Sequence, residues 1–165
     1  LLVSSSLDCT VRVWESLGMS EKYCMRQPSG EIASMTLLQG GSVVATGIDD
    51  GSVRFWNLET GAGTSSRAHS NTVSALASHR DNKNSLLFAS GCYNGDIVLW
   101  EAQAKDGVHN AQIPKVDSRI GCAHKGNDGQ DTEILALAFV EGNGSIILVS
   151  GGNNCALHCW DFQRR

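Results

Sequence analysis

The chain has 165 residues, 41% hydrophobic and 18% charged, enough for one cored domain and too apolar for a disordered or fibrous chain. A formal net charge of −4 and a sequence pI of about 5.7 argue against nucleic acid as the main partner, because phosphate binding calls for a basic surface. No apolar run approaches the roughly 18 residues of a membrane helix, and no leader is visible. Eighteen glycines against two prolines point to many turns and an all-β chain.

In chain order, the sequence starts at Leu1 without a methionine and enters a strand-like run directly, as expected of a fragment of a longer protein. A turn at Asp8 leads into Val11-Arg12-Val13-Trp14, where the valines share one face and Arg12 and Trp14 the other. A weakly marked outer strand follows at Glu21 to Arg26. Val43 to Thr46 reads as a strand, Asp50-Gly51 as a turn, Val53-Arg54-Phe55-Trp56 as the next alternating strand, and Gly63 to Arg67 as an outer one. Val73 to Ala77 reads as an inner strand, with a short helix as the competing reading. Leu86 to Ser90, the turn Asn94-Gly95 and Ile97 to Trp100 repeat the pattern, with an outer strand at Val116 to Cys122. The last unit comprises an apolar run from Ile134 to Val140, Ile146 to Ser150, Asn154 and the strand ending on Trp160.

These units form one repeat. Trp14, Trp56, Trp100 and Trp160 are spaced by 42, 44 and 60 residues. Six positions before each tryptophan stand Asp8, Asp50, Asn94 and Asn154; ten before stand Ser4, Thr46, Ser90 and Ser150; nine before, three of the four are Gly47, Gly91 and Gly151. Asp and Asn tolerate left-handed backbone and bond their own main chain, which suits the turn between two strands.

This register resembles the WD-repeat family, whose spacing is about 40–45 residues. Trp160-Asp161 matches its closing pair, and Ala68-His69 and Ala123-His124 match its Gly-His-like pair; Pro28-Ser29-Gly30 replaces that pair in the second unit. The resemblance implies a β-propeller of four-stranded antiparallel blades, here a partial ring of about three and a half. The expected divisions are a partial blade at 1–30, blades at 31–67 and 68–122, and a blade lacking its outer strand at 123–165. The other blades would come from missing sequence or from a partner. It also implies hydrogen-bonded sets: His69, Ser90, Asn94 and Trp100; His124, Ser150, Asn154 and Trp160; and the reduced sets Thr46, Asp50, Trp56 and Ser4, Asp8, Trp14.

Function is expected at loops. The interval before Trp160 is longer by about sixteen residues, an insertion within 101–132 that is either a solvated loop or a partner-contacting one. Family propellers bind through the face built by the loops before the inner and tryptophan strands, which selects Ile48, Asp49, Tyr93, Asn127 and Asn153; Tyr93 is either a contact residue or turn packing. The sequon Asn143-Gly144-Ser145 suits a hairpin turn and matters only in a secreted protein. The six scattered cysteines are expected to be reduced structural thiols. Cys122, His124, Cys155, His158 and Cys159 invite a zinc reading, but Cys155 and Cys159 lie four residues apart, about 13 Å along a strand, so no metal or cofactor is expected. No phosphate loop or nucleophile elbow is present.

The expected function is a non-catalytic scaffold binding other proteins in a multi-subunit assembly, in the cytoplasm. The alternatives are an accessory propeller of a larger enzyme and a ribonucleoprotein component. A finer likeness, in Asp50-GSVRFWNLETG-Ala62 and Ser150-Gly-Gly-Asn-Asn154, is to EF-hand/WD-repeat proteins of cilia and flagella, and implies an axonemal role without the calcium loop.

Overall fold

A computed structural model describes all residues except 39–40, 81–84, 104–113, 127–128, 143–144 and 163–165. The described residues form fourteen strands and no helix: β1 (Leu2–Ser5), β2 (Thr10–Trp14), β3 (Glu21–Arg26), β4 (Ile32–Leu38), β5 (Val43–Ile48), β6 (Ser52–Asn57), β7 (Gly63–Arg67), β8 (Val73–Arg80), β9 (Ser85–Cys92), β10 (Ile97–Gln103), β11 (Lys115–Ile120), β12 (Ile134–Gly142), β13 (Ser145–Gly152) and β14 (Leu157–Phe162). They make four antiparallel meanders, β1–β3, β4–β7, β8–β11 and β12–β14. The first sheet has no inner strand and the last has no outer one among the described residues. Val73 to Ala77 is strand, because Val73, Ala75 and Ala77 alternate into the core while Ser74 and Leu76 point the other way. The sequence gives no sign of β4, which supplies the inner strand of the second sheet.

Three apolar seams hold the sheets together. Val11 and Val13 meet Ile32, Val44, Ile48 and Trp56 between the first and second sheets. Phe55 meets Phe88 and Trp100 edge-on at 5.7 and 5.9 Å between the second and third. Ala89, Ile97 and Leu99 meet Ile134 and Leu148 between the third and fourth. Each tryptophan from Trp56 onward thus packs against the sheet before its own.

The repeated glycine nine positions before the tryptophan sets how closely the sheets approach. A Cβ on Gly47 would stand 2.5 Å from the Val73 carbonyl oxygen, and one on Gly91 2.6 Å from Ile134 Cγ2. Both glycines therefore seat the inner strand of the following sheet. Nearby, Ser34 donates to the Val73 carbonyl at 2.7 Å, and Ser74 donates to the Ile134 carbonyl, tying neighbouring inner strands together.

The two outer faces of the stack are open. In the last sheet Leu157 is 78% exposed, whereas Val11, Val53 and Ile97 in the same register are each 0% exposed. Cys159 is exposed where Val13, Phe55 and Leu99 are buried. The apolar run Ile134 to Val140 is consequently covered on one side only: Ile134 is buried, while Leu135 and Val140 face solvent. All six cysteines are free thiols; Cys24, Cys122, Cys155 and Cys159 are exposed and only Cys92 is buried.

Candidate functional site

The turn between the second and third strand of each sheet begins on the Asp/Asn register. Asp8 Oδ1 accepts from Thr10 N and Oγ1 at 3.0 and 2.6 Å. Asp50 Oδ1 accepts from Ser52 N and Oγ at 2.9 and 2.6 Å, and Asn154 Oδ1 from Ala156 N at 3.1 Å. The Thr10 hydroxyl is the main reason the Asp8 carboxyl lies below its ordinary range. The next residue is left-handed in every sheet: Cys9 (φ 68°), Gly51 (φ 86°), Gly95 (φ 81°) and Cys155 (φ 59°). The turns also clasp the segment that crosses to the next sheet. Gln27 N donates to Cys9 O at 2.7 Å, His69 N to Gly51 O at 3.0 Å, and Ala123 N to Gly95 O at 2.8 Å.

Beside each turn the tryptophan indole is tied to the Ser/Thr register. Trp14 Nε1 donates to Ser4 Oγ at 2.9 Å, Trp56 to Thr46 Oγ1 at 2.9 Å, Trp100 to Ser90 Oγ at 2.8 Å and Trp160 to Ser150 Oγ at 2.8 Å. Two sheets extend this bond to a histidine. Ser150 Oγ has one hydrogen, which goes to His124 Nε2 at 2.8 Å. The ring hydrogen then sits on Nδ1 and faces Asn154 Oδ1 at 3.1 Å, while Asn154 Nδ2 donates to the Lys125 carbonyl at 2.9 Å. All four members of that set are joined. In the third sheet Ser90 Oγ meets His69 Nε2 at 2.7 Å, but Asn94 turns away and donates to Ser70 Oγ at 2.9 Å. His69 Nδ1 is buried and has no hydrogen-bond partner, and burial lowers the His69 pKa to about 4. Asp8 and Asp50 cap their turns and do not join the Trp14–Ser4 and Trp56–Thr46 pairs.

Asp49, Tyr93 and Asn153 occupy one structural position. Each backbone N–H donates to the residue just before its sheet's inner strand: Asp49 to Glu31 O at 3.1 Å, Tyr93 to Thr72 O at 3.1 Å and Asn153 to Glu133 O at 3.0 Å. All three side chains are exposed along one rim of the stack, Tyr93 at 41%. Leu7 takes the same register in the first sheet and is exposed; the shared offset from tryptophan is the signal that identifies it. Ile48 does not belong to this rim. It ends β5 with its side chain 0% exposed in the seam of Trp56, so its selection is corrected: the strand runs two residues beyond the expected end at Thr46. Asn127 lies outside the described residues.

The inserted segment adds a feature to the same rim. Connections between sheets run over 27–31 and 68–72, but the third runs over 121–133. Its described residues pair with each other: Lys125 bridges Asp131, and Gly126 N donates to Gln130 O at 2.8 Å. The base is fixed by Cys122 N on Asp96 Oδ1 at 3.0 Å and by Thr132 N on His124 O at 3.2 Å. Asp131, hydrogen-bonded to the Cys122 thiol, raises its pKa. Residues 104–113, the other part of the insertion, and the sequon at 143–144 lie outside the described residues. Among the described residues no three His, Cys, Asp or Glu side chains converge on a metal position.

Comparison with known proteins places this geometry. The chain is 23% identical to a poly(A)+ RNA export protein of Schizosaccharomyces pombe over 90% of its own length and 41% of that protein. It is 22% identical to the human pre-mRNA-processing factor 17 over 98% of its length and 25% of that protein. The chain therefore spans less than half of either relative. A chain in the crystal structure of a mitotic checkpoint complex superposes with a TM-score of 0.71 at 21% identity, over 96% of this chain and 42% of that one, and so shares its fold. The model of the WD domain, G-beta repeat, matches residues 1–15, 21–57 and 63–101, more than half of the chain, and the chain belongs to this WD40 repeat family.

Proposed function

We propose that this chain is part of a non-catalytic scaffold propeller that binds other proteins through the rim bearing Asp49, Tyr93, Asn153 and the paired residues 125–126 and 129–131. The observation that carries this reading is the rim itself: one exposed, variable side chain per sheet, held at a fixed register by a backbone hydrogen bond, beside the Lys125–Asp131 bridge that the other connections lack. Rigid strands presenting variable loop residues suit recognition. Tyr93 supplies the aromatic anchor.

The ring continues from both open faces. Leu157 and Cys159 repeat the register that the next sheet covers elsewhere, and Gly151 repeats that of Gly47 and Gly91 while facing no following strand. Further blades of the same kind, from the rest of the polypeptide or a partner, cover these faces.

Affinity capture with the tagged full-length protein tests the scaffold reading. The triple variant Asp49→Ala, Tyr93→Ala, Asn153→Ala loses its partner proteins while keeping its thermal stability; unchanged capture overturns the rim assignment. A second reading, a ribonucleoprotein component, is favoured by the names of the two relatives above. Under it, capture recovers RNA-containing particles that RNase disperses. The accessory-propeller alternative requires a catalytic domain in the full reading frame. The axonemal role rests on the sequence likeness alone, and imaging of the tagged full-length protein tests it: axonemal signal supports it, purely nuclear signal overturns it.

A further inference from the structure

We propose that the seam between the second and third sheets is an acid-sensitive joint, which loosens on protonation of His69 before the other two seams do. His69 is the point where the two sheets clasp. Its N–H donates to the Gly51 carbonyl of the preceding turn, and a Cβ on Gly51 would collide with the His69 carbonyl. Its ring is held from the other side by the Ser90 hydroxyl, itself held by the indole of Trp100 in the aromatic cluster of Phe55 and Phe88.

The indole donates to Ser90, whose oxygen has its own hydrogen and a second lone pair for pairing with His69 Nε2. Only one ring nitrogen is served in this way. The cation carries a hydrogen on both, and its Nδ1–H is buried with no acceptor. The charged groups facing the ring are Asp96, on the turn after β9, which favours the cation, and Arg119 on β11, which opposes it and donates to the Ala68 carbonyl at 2.6 Å. The preceding sheet offers the ring only neutral backbone at the Gly51 turn. Burial dominates and holds the pKa at about 4, against an ordinary value of 6.5.

A histidine with a lowered pKa stabilises the closed seam fully above its open-state pKa and loses that contribution as pH falls from about 6.5 toward 4. From pH 7 to 5 the equilibrium for opening shifts about twenty-fold. The other seams are built differently. Gln27, which does not titrate, takes the His69 place at the first, clasping Cys9. At the third, His124 has an acceptor for its Nδ1–H in Asn154.

Hydrogen exchange of the indole N–H groups reads each relay separately by NMR of the full-length protein. After correction for intrinsic exchange, Trp100 is expected to lose protection about twenty-fold between pH 7 and 5, while Trp56 and Trp160 hold theirs. His69→Gln removes the acid dependence at Trp100. Should that variant fail to fold, Asn94→Asp, which puts a carboxylate on the turn beside Ser70 and favours the cation, reduces the dependence instead. Equal loss at all three indoles, or a loss at Trp100 that is undiminished in either variant, overturns the proposal.

Discussion

Replacing Ser90 with alanine removes the atom on which one relay turns. Its Oγ takes the Trp100 indole hydrogen at 2.8 Å and pairs with His69 Nε2 at 2.7 Å, and serine, tryptophan and histidine are all buried. Alanine leaves two buried polar groups unsatisfied, each costing about 1–3 kcal/mol, so Ser90→Ala should cost about 4 kcal/mol. Ser4→Ala is the internal control. It breaks the chemically identical Trp14–Ser4 bond at 2.9 Å, but both residues are half-buried on an open face where water can replace the lost partner. Its cost should stay below about 1 kcal/mol. Urea unfolding followed by far-ultraviolet circular dichroism compares the two without interference from indole fluorescence. In a Trp100→Phe background the cost of Ser90→Ala should fall by about 1–3 kcal/mol, because one of the two orphans is gone. Equal effects of the two alanine substitutions, or additivity with Trp100→Phe, would refute the relay as the origin of the stability.

Three other outcomes follow from the repeat. Cys9→Gly and Cys155→Gly relieve left-handed cysteines at φ 68° and 59°; the relief of about 1–2 kcal/mol outweighs the added flexibility of glycine, so each should raise the urea midpoint by about 0.5 kcal/mol of stability. A lowered midpoint would contradict the turn assignment. Gly91→Ala forces a Cβ against Ile134 and should cost about 1–3 kcal/mol, measured in the same way. Gly151→Ala meets only the Leu157 side chain at 3.2 Å, so it should be nearly neutral in the 165-residue chain and as costly as Gly91→Ala in the full-length protein.

Repetition decided how much could be read from the residues. The outer strand β7 is polar and β3 offers only Tyr23 and Met25 to the core, yet their spans follow from their offset to Trp14 and Trp56. The inner strand β4 escapes notice although β8 and β12 are its repeat partners: Ile32 and Leu38 are buried, but the residues between do not alternate cleanly. Ile48 was drawn to the rim by its neighbour Asp49, because sequence cannot say which of two adjacent residues turns inward at the end of a strand. The divergence of Asn94 from Asn154 is equally invisible, since both occupy one register and differ only in which neighbour offers a better partner, Ser70 or His124. Cys9 and Cys155, by contrast, were readable as left-handed from the glycines at their register, five residues before tryptophan.

The continuation of the stack is the claim on which the rest depends, and thiol labelling of Cys159, mapped by mass spectrometry, tests it most directly. Cys159 is exposed in this chain, in a register that is 0, 4 and 7% exposed at Val13, Phe55 and Leu99. The account predicts rapid labelling in the 165-residue chain and strong protection in the native full-length protein, with Cys24 as an exposed reference. Equally rapid labelling of Cys159 in both would contradict it.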